Sequence, residues 1–261
     1  MVQEGIEGTE EQEQGSRSMT GAEKKTADLY DDLWNDLRED DFIKYKSRLK
    51  KILPEQLYRG KECLDAGCGQ GAVSSIISEK AKKLCSVDIG SKAIEITGKR
   101  ISHPERVVLI RSSLLKLPFP GSSFDFVVSN GVVHHTDDPA KALSELKRVL
   151  RPGGTLMLGL YGKTGLLRYA IEMTSMLLKW VPYRIVKRML LMLGFGPLMR
   201  YYILDYIYVP VRKRFSINEV KSMMTGFSDF RVMSDYPSGK LGRIVYGTNY
   251  FYISAKKQQI L

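Results

Sequence analysis

The short segment Lys61-Glu62-Cys63-Leu64-Asp65-Ala66 leads directly into glycines at every second position, Gly67, Gly69 and Gly71, and then into an apolar segment from Ala72. Glycine lacks a Cβ, so such a run lets the backbone turn tightly and approach a ligand closely. The spacing predicts a buried strand over 61–66, a turn, and a helix over 72–80, which is the opening unit of a parallel α/β sheet.

The chain continues in the same rhythm. Strands are expected at 84–88, 107–111, 124–130 and 155–160, and helices at 91–100, with Ser91 as cap, and at 139–150. Short loops between alternating elements predict a mostly parallel sheet covered on both faces. Beyond residue 215 a capped helix at 216–224 precedes strands at 230–234 and 248–255. These are joined by a loop containing Pro and Gly and form an antiparallel edge. Before the sheet, Leu29, Leu33, Leu37, Phe42, Tyr45 and Leu49 recur at helical intervals over 22–53, until Pro54 ends the pattern.

Asp88 closes the second strand, where open parallel sheets place a carboxylate on the ribose hydroxyls of an adenosine-containing ligand. The glycine spacing departs from the G-x-G-x-x-G of dinucleotide sites, and Asp65 would repel a pyrophosphate. A carboxylate at the turn suits an ammonium or sulfonium group instead, which points to S-adenosylmethionine as cofactor.

On CLDAGCGQG (63–71), SVDIG (86–90), LPFPGSSFDFVVSNGVVHH (117–135) and LRPGGTLML (150–158), the chain resembles the class I S-adenosylmethionine-dependent methyltransferases of the type 11 branch. The resemblance is close over about 60–160 and weaker over 215–256. It implies a Rossmann-like, doubly wound α/β fold with a seven-stranded sheet, mostly parallel with an antiparallel last strand. A helical lid would be inserted between the fifth and sixth strands. Carried over residue by residue, Asp65, Gly67, Gly69 and Gly71 line the methionine and ribose portions of the cofactor. Asp88 takes both ribose hydroxyls, Ile89 packs on the adenine, Leu114 offers its backbone N–H to the adenine, and Asn130 meets the methionine end. Ser113 stands where the family usually has an acidic residue for the adenine amino group.

His134 and His135 follow the fourth strand, beside the expected methyl group, and are the candidate catalytic residues. An imidazole there could deprotonate the acceptor. The bland reading has His134 packing under the loop and His135 bonding backbone near 136–138. In-line alignment alone can drive methyl transfer without a base. No metal is expected, because Asp137 and Asp138 read as the start of the next helix.

Residues 163–214 carry ten Lys or Arg against Glu172 and Asp205, with six Tyr and five Met. Helices are expected at about 164–180 and 183–193, parted by Pro182. Met and Tyr suit a malleable acceptor pocket, and the basic residues suit a phosphate or an anionic membrane surface. Tyr30 and Trp34 are candidates to close the cofactor side. The expected organisation is an acidic disordered tail at 1–18, N-terminal helices at 19–58, the cofactor-binding core at 59–161, the helical lid at 162–214, and the C-terminal part of the core at 215–261. Met19 offers a second start.

The formal net charge is +11, and residues 1–18 contribute −4 of it, so the remainder is strongly basic. Three cysteines are too few for a disulfide framework, and with no basic-then-apolar leader they favour a cytoplasmic location. No uncharged apolar run reaches the roughly 18 residues a spanning helix needs, although contact with a membrane surface stays open. The function expected is methyl transfer to an O, N or C atom of a small-molecule or lipid-like acceptor. The alternatives are an RNA methyltransferase with a basic RNA-facing surface, a nicotinamide-dependent oxidoreductase, and a non-catalytic binding protein. Nucleic acid is the weaker partner, because only charge supports it.

Overall fold

The computed structural model describes residues 20–163, 172–173, 175–234 and 250–259. The expected tail at 1–18 and the loop joining the last two strands lie outside these residues, as does much of the first expected lid helix.

The elements run α1 (Gly21–Asn35), α2 (Glu39–Ile52), β1 (Glu62–Ala66), α3 (Ala72–Ile77), β2 (Lys83–Asp88), α4 (Ser91–Arg100), β3 (Val107–Arg111), β4 (Phe124–Asn130), α5 (Pro139–Val149), β5 (Leu150–Tyr161), α6 (Tyr183–Met192), α7 (Pro197–Tyr208), α8 (Ile217–Met223), β6 (Phe227–Ser234) and β7 (Tyr250–Lys257). The sheet has seven strands in the order β3-β2-β1-β4-β5-β7-β6. The first five are parallel, while β7 runs antiparallel to both β5 and β6. The seven-stranded α/β reading therefore holds, including the antiparallel final strand. Strand order reverses between β1 and β4, which opens a crevice outside their carboxyl ends.

Side chains alternate across the buried strands and build a core on each face. Leu64, Val127, Leu156 and Leu158 face Leu143 and Leu146 of α5. Cys63, Phe126, Val128 and Met157 face Phe42 and Leu49 of α2 and Ile76 of α3. A third cluster joins Leu33 of α1 to Val186 and Leu190 of α6 and to Leu204 and Ile207 of α7.

Several boundaries differ from expectation. The pattern over 22–53 makes two helices. It breaks where the apolar spacing stretches to five residues, between Leu37 and Phe42, and Arg38 is extended there. Gly90, not Ser91, is the N-cap of α4. The helix expected to reach residue 80 stops at Ile77, and β5 begins at Leu150 rather than at Thr155. Helix α7 was not anticipated. It is apolar nearly all round, so no polar stripe marks it, although Pro197 at its first turn is a start signal.

Candidate active site

The glycine turn sits at the carboxyl end of β1. Gly67 (φ 91°), Gly69 (φ 52°) and Gly71 (φ 83°) all lie in the left-handed region. A Cβ on Gly67 would stand 2.2 Å from Cγ2 of Val132, so the loop after β4 closes directly on the turn. Asp65 beneath it is fully buried. Its Oδ2 accepts from Ser74 Oγ at 2.6 Å, while Oδ1 is buried without a partner among the described residues. Burial pushes its carboxyl up to about 7, with the neighbouring Asp88 adding to the rise.

Asp88 ends the adjacent strand. Its Oδ2 accepts from the Gly69 N–H and its Oδ1 from the Gly90 N–H, each at 2.9 Å. Each oxygen keeps one lone pair for a further donor. Burial raises this carboxyl to about 6 against those bonds. Ile89 is half-buried next to it, with its carbonyl accepting from Arg111 Nε at 3.0 Å. Two carboxylates held apart from water at adjacent strand ends form a site for a cationic group.

Helix α1 crosses this site. Glu23, Tyr30, Asp31 and Trp34 share one of its faces by spacing. Trp34 lies on the turn, with ring carbon Cζ2 3.2 Å from where a Gly69 Cβ would stand, and Tyr30 stacks on it at 5.3 Å. Asp31 Oδ1 approaches Gly90 and is itself buried without a partner among the described residues. Ser113 donates to Glu23 Oε1 and accepts from the Leu115 N–H at 3.0 Å. The charge that Ser113 lacks is thus supplied from another element. Leu114 is buried in the core beside it. Sequence reasoning missed Glu23 and Asp31. The signal for Glu23 was the Thr20-x-x-Glu23 capping box, in which Thr20 Oγ1 accepts from the Glu23 N–H and Glu23 Oε2 accepts from the Thr20 N–H.

Asn130 is half-buried at the end of β4, with both ends of its amide engaged. It donates to Tyr45 Oη at 2.8 Å and accepts from Tyr250 Oη at 2.7 Å. Gly159 makes this fit, because a Cβ there would stand 2.3 Å from Asn130 Oδ1. The structure places the side chain of Asn130 in a tyrosine cluster.

The two histidines differ. His134 is fully buried and its ring lies 4.1 Å from that of Tyr161. Its Nδ1 accepts a weak bond from the Tyr161 N–H at 3.4 Å, so Nε2 carries the proton of the neutral ring. That N–H is buried without a partner among the described residues. Burial holds the imidazole well below its usual range, with His135 and Arg214 lowering it further.

His135 bonds Val211, just beyond α7, and not residues 136–138. Its Nδ1 donates to the Val211 carbonyl at 2.8 Å, and its Nε2 lies 3.1 Å from Tyr30 Oη. Tyr30 in turn donates to Asp205 Oδ1 at 2.6 Å, and Tyr161 donates to Asp205 Oδ2 at 3.1 Å. Val211 fixes the proton on Nδ1, because a carbonyl only accepts. If Tyr30 gives its single proton to Asp205, the contact at Nε2 is complete only when Nε2 is also protonated. The chain Asp205–Tyr30–His135 therefore has room for one more proton than an ionised Asp205, a neutral Tyr30 and a neutral His135 bring. Burial lowers the His135 imidazole, and Asp205 opposes that fall.

Residues 64–158 match the family model described as a methyltransferase domain. Over 149 residues the chain is 31% identical to the 27-O-demethylrifamycin SV methyltransferase of Amycolatopsis mediterranei, covering 51% of this chain and 54% of that one. Over 99 residues it is 29% identical to the demethylmenaquinone methyltransferase of Clavibacter sepedonicus, covering 38% and 40%. The chain spans between about a third and just over half the length of such curated relatives. Among solved structures, the N-methyltransferase NodS of Bradyrhizobium japonicum superposes with a TM-score of 0.55 at 13% identity, over 85% of this chain and 100% of that one. The methyltransferase solved with the Haloferax volcanii Trm112 activator gives 0.60 at 14%, over 92% and 99%. At such identities the likeness is one of fold.

Proposed function

We propose that the chain, whose residues 64–158 match a methyltransferase domain, transfers a methyl group from S-adenosylmethionine to an O, N or C atom of a small-molecule or lipid-like acceptor. The observation that carries the reading is the pair of buried carboxylates, Asp65 and Asp88, flanking a glycine turn at the ends of adjacent parallel strands. The unpartnered oxygen of Asp65 suits the ammonium of the methionine end, and Gly67, Gly69 and Gly71 leave the turn open to close approach. Asp88 has lone pairs left for the ribose hydroxyls. Ile89, Leu114 and the Ser113–Glu23 pair border the adenine, and Asn130 positions Tyr45 and Tyr250 instead of touching the donor. Bound S-adenosylmethionine supplies a methyl group already activated by its sulfonium.

On the acceptor side, we assign residues 162–214 to the lid. The free Nε2–H of His134 orients an acceptor oxygen or nitrogen. His135 receives the acceptor's proton through the Tyr30 hydroxyl, whose own proton swings from Asp205 to Nε2 as the oxygen takes the acceptor's, and Asp205 offsets the imidazolium charge. The Tyr30, Tyr161, Tyr201 and Tyr250 rings around this chain exclude water and suit an apolar body. Relatives named for demethylrifamycin SV and demethylmenaquinone fit such an acceptor. Three buried free cysteines fit a cytoplasmic place of work.

Calorimetry with S-adenosylhomocysteine and with NADH tests the cofactor, and tight binding of NADH alone overturns the proposal. Label transferred from the donor into small-molecule, lipid or RNA fractions tests the acceptor, and label confined to RNA replaces it. His135→Ala should lower turnover at least tenfold with little change in donor affinity. Unchanged turnover in both His134→Ala and His135→Ala removes the base.

A further inference from the structure

Among the described residues, fourteen of the seventeen large apolar side chains that face solvent fall between residues 173 and 202. They belong to one packed unit. A helical turn at 175–178 leads through Pro182 into α6, which packs on α7. Tyr208 of α7 lies 2.6 Å from the Val181 carbonyl and so ties the turn to the pair. The inner face is already satisfied: Val186 and Leu190 of α6 and Leu204 and Ile207 of α7 are buried against Leu33. The outer face is therefore surplus to folding. Ile185, Met189 and Met192 recur on it at helical spacing, with Trp180 89% exposed before them and Phe195 and Met199 after them.

An apolar face of this extent marks a binding surface, and charge identifies the occupant. Residues 173–202 hold Lys179, Arg184, Lys187, Arg188 and Arg200 and no Asp or Glu. Lys187 and Arg200 turn inward to Asp36, whereas Lys179, Arg184 and Arg188 are exposed beside the apolar stripe. Flexible Met and Leu side chains with an exposed Trp, bordered by cations, match the interfacial layer of an anionic bilayer. Among the described residues no helix is long and apolar enough to cross a membrane. We propose that residues 173–202 form a peripheral docking face that lays α6 and α7 onto an anionic membrane surface. The contact is independent of which acceptor the enzyme methylates.

Flotation of the full chain with phosphatidylcholine vesicles, with and without phosphatidylglycerol, tests this directly. The chain should float with the anionic vesicles at least tenfold more than with neutral ones, and added salt should weaken the contact. Emission should shift to the blue in the native chain but not in Trp180→Phe. Met189→Glu with Met192→Glu should abolish flotation, and Arg184→Ser with Arg188→Ser should erase the preference for anionic lipid. Melting temperatures must stay near the native value, as exposed positions allow. Absence of flotation with both vesicle types overturns the proposal. So does equal, salt-independent binding to neutral vesicles. A stable dimer that the Met189→Glu, Met192→Glu variant dissociates assigns the face to a second copy of the chain instead.

Discussion

Tyr30 and Asp205 are 175 positions apart in the chain and meet in a 2.6 Å hydrogen bond. The bond links α1 to α7 and holds the Asp205 carboxylate near His135. Asp205, ahead of the Val211 carbonyl, raises the His135 imidazole against the effect of burial. Removing that charge should move the His135 titration to lower pH. NMR of the imidazole in Asp205→Asn checks the direction, and a move to higher pH contradicts the relay. Turnover should fall tenfold or more, with the acidic limb of its pH profile shifting the same way.

The Asp65 carboxyl lies near 7 in the fold against an unfolded reference of 3.8. The folded chain therefore binds this proton more tightly than the unfolded chain, and the group costs stability as pH rises from about 4 through 7. The loss amounts to at most about 4 kcal/mol. Asp65→Asn should melt higher than the native protein at pH 8 and close to it near pH 4. An unchanged difference between the two pH values would refute the assignment.

A cationic ligand favours the ionised form of the same carboxyl. Affinity for S-adenosylmethionine should accordingly strengthen as pH rises from 6 to 8, with proton release on binding. Asp65→Asn should lose on the order of a hundredfold in affinity together with the pH dependence. Calorimetry in buffers of different ionisation enthalpy measures both effects.

Gly67→Ala would force a Cβ onto Val132 at a backbone angle that L-residues avoid. The expected cost is about 2–4 kcal/mol, the sum of local strain and overpacking. Val132→Ala in the same chain should restore part of it, because the nearest clashing methyl is gone while the strain remains. Denaturant melts of the single and double variants separate the two contributions.

Glu23 bonds both its own helix start and Ser113. Glu23→Ala should cost about 1 kcal/mol from the cap alone, and it should speed amide exchange across residues 20–35. Exchange no faster than in the native chain would show that α1 is held down by its Leu33 contacts without this anchor.

What the amino-acid order settled by itself was local and periodic. The bounds of β3, β4 and α4 were legible to the residue, because side-chain alternation and helical spacing are properties of neighbouring positions. The glycine turn with Asp65 and Asp88 was legible too, since close backbone approach leaves glycine few substitutes. Helix α7 escaped notice because its apolar faces are divided between Leu33 and solvent, and no pattern within the helix encodes that division. The surroundings of Asn130, Ser113 and the two histidines were decided by tertiary contact alone. Tyr45 and Tyr250 occupy Asn130, Glu23 answers Ser113, and Tyr30, Asp205 and Val211 distinguish His135 from His134. A side chain's proton and charge depend on what surrounds it in space, and folding brings those groups from opposite ends of the chain.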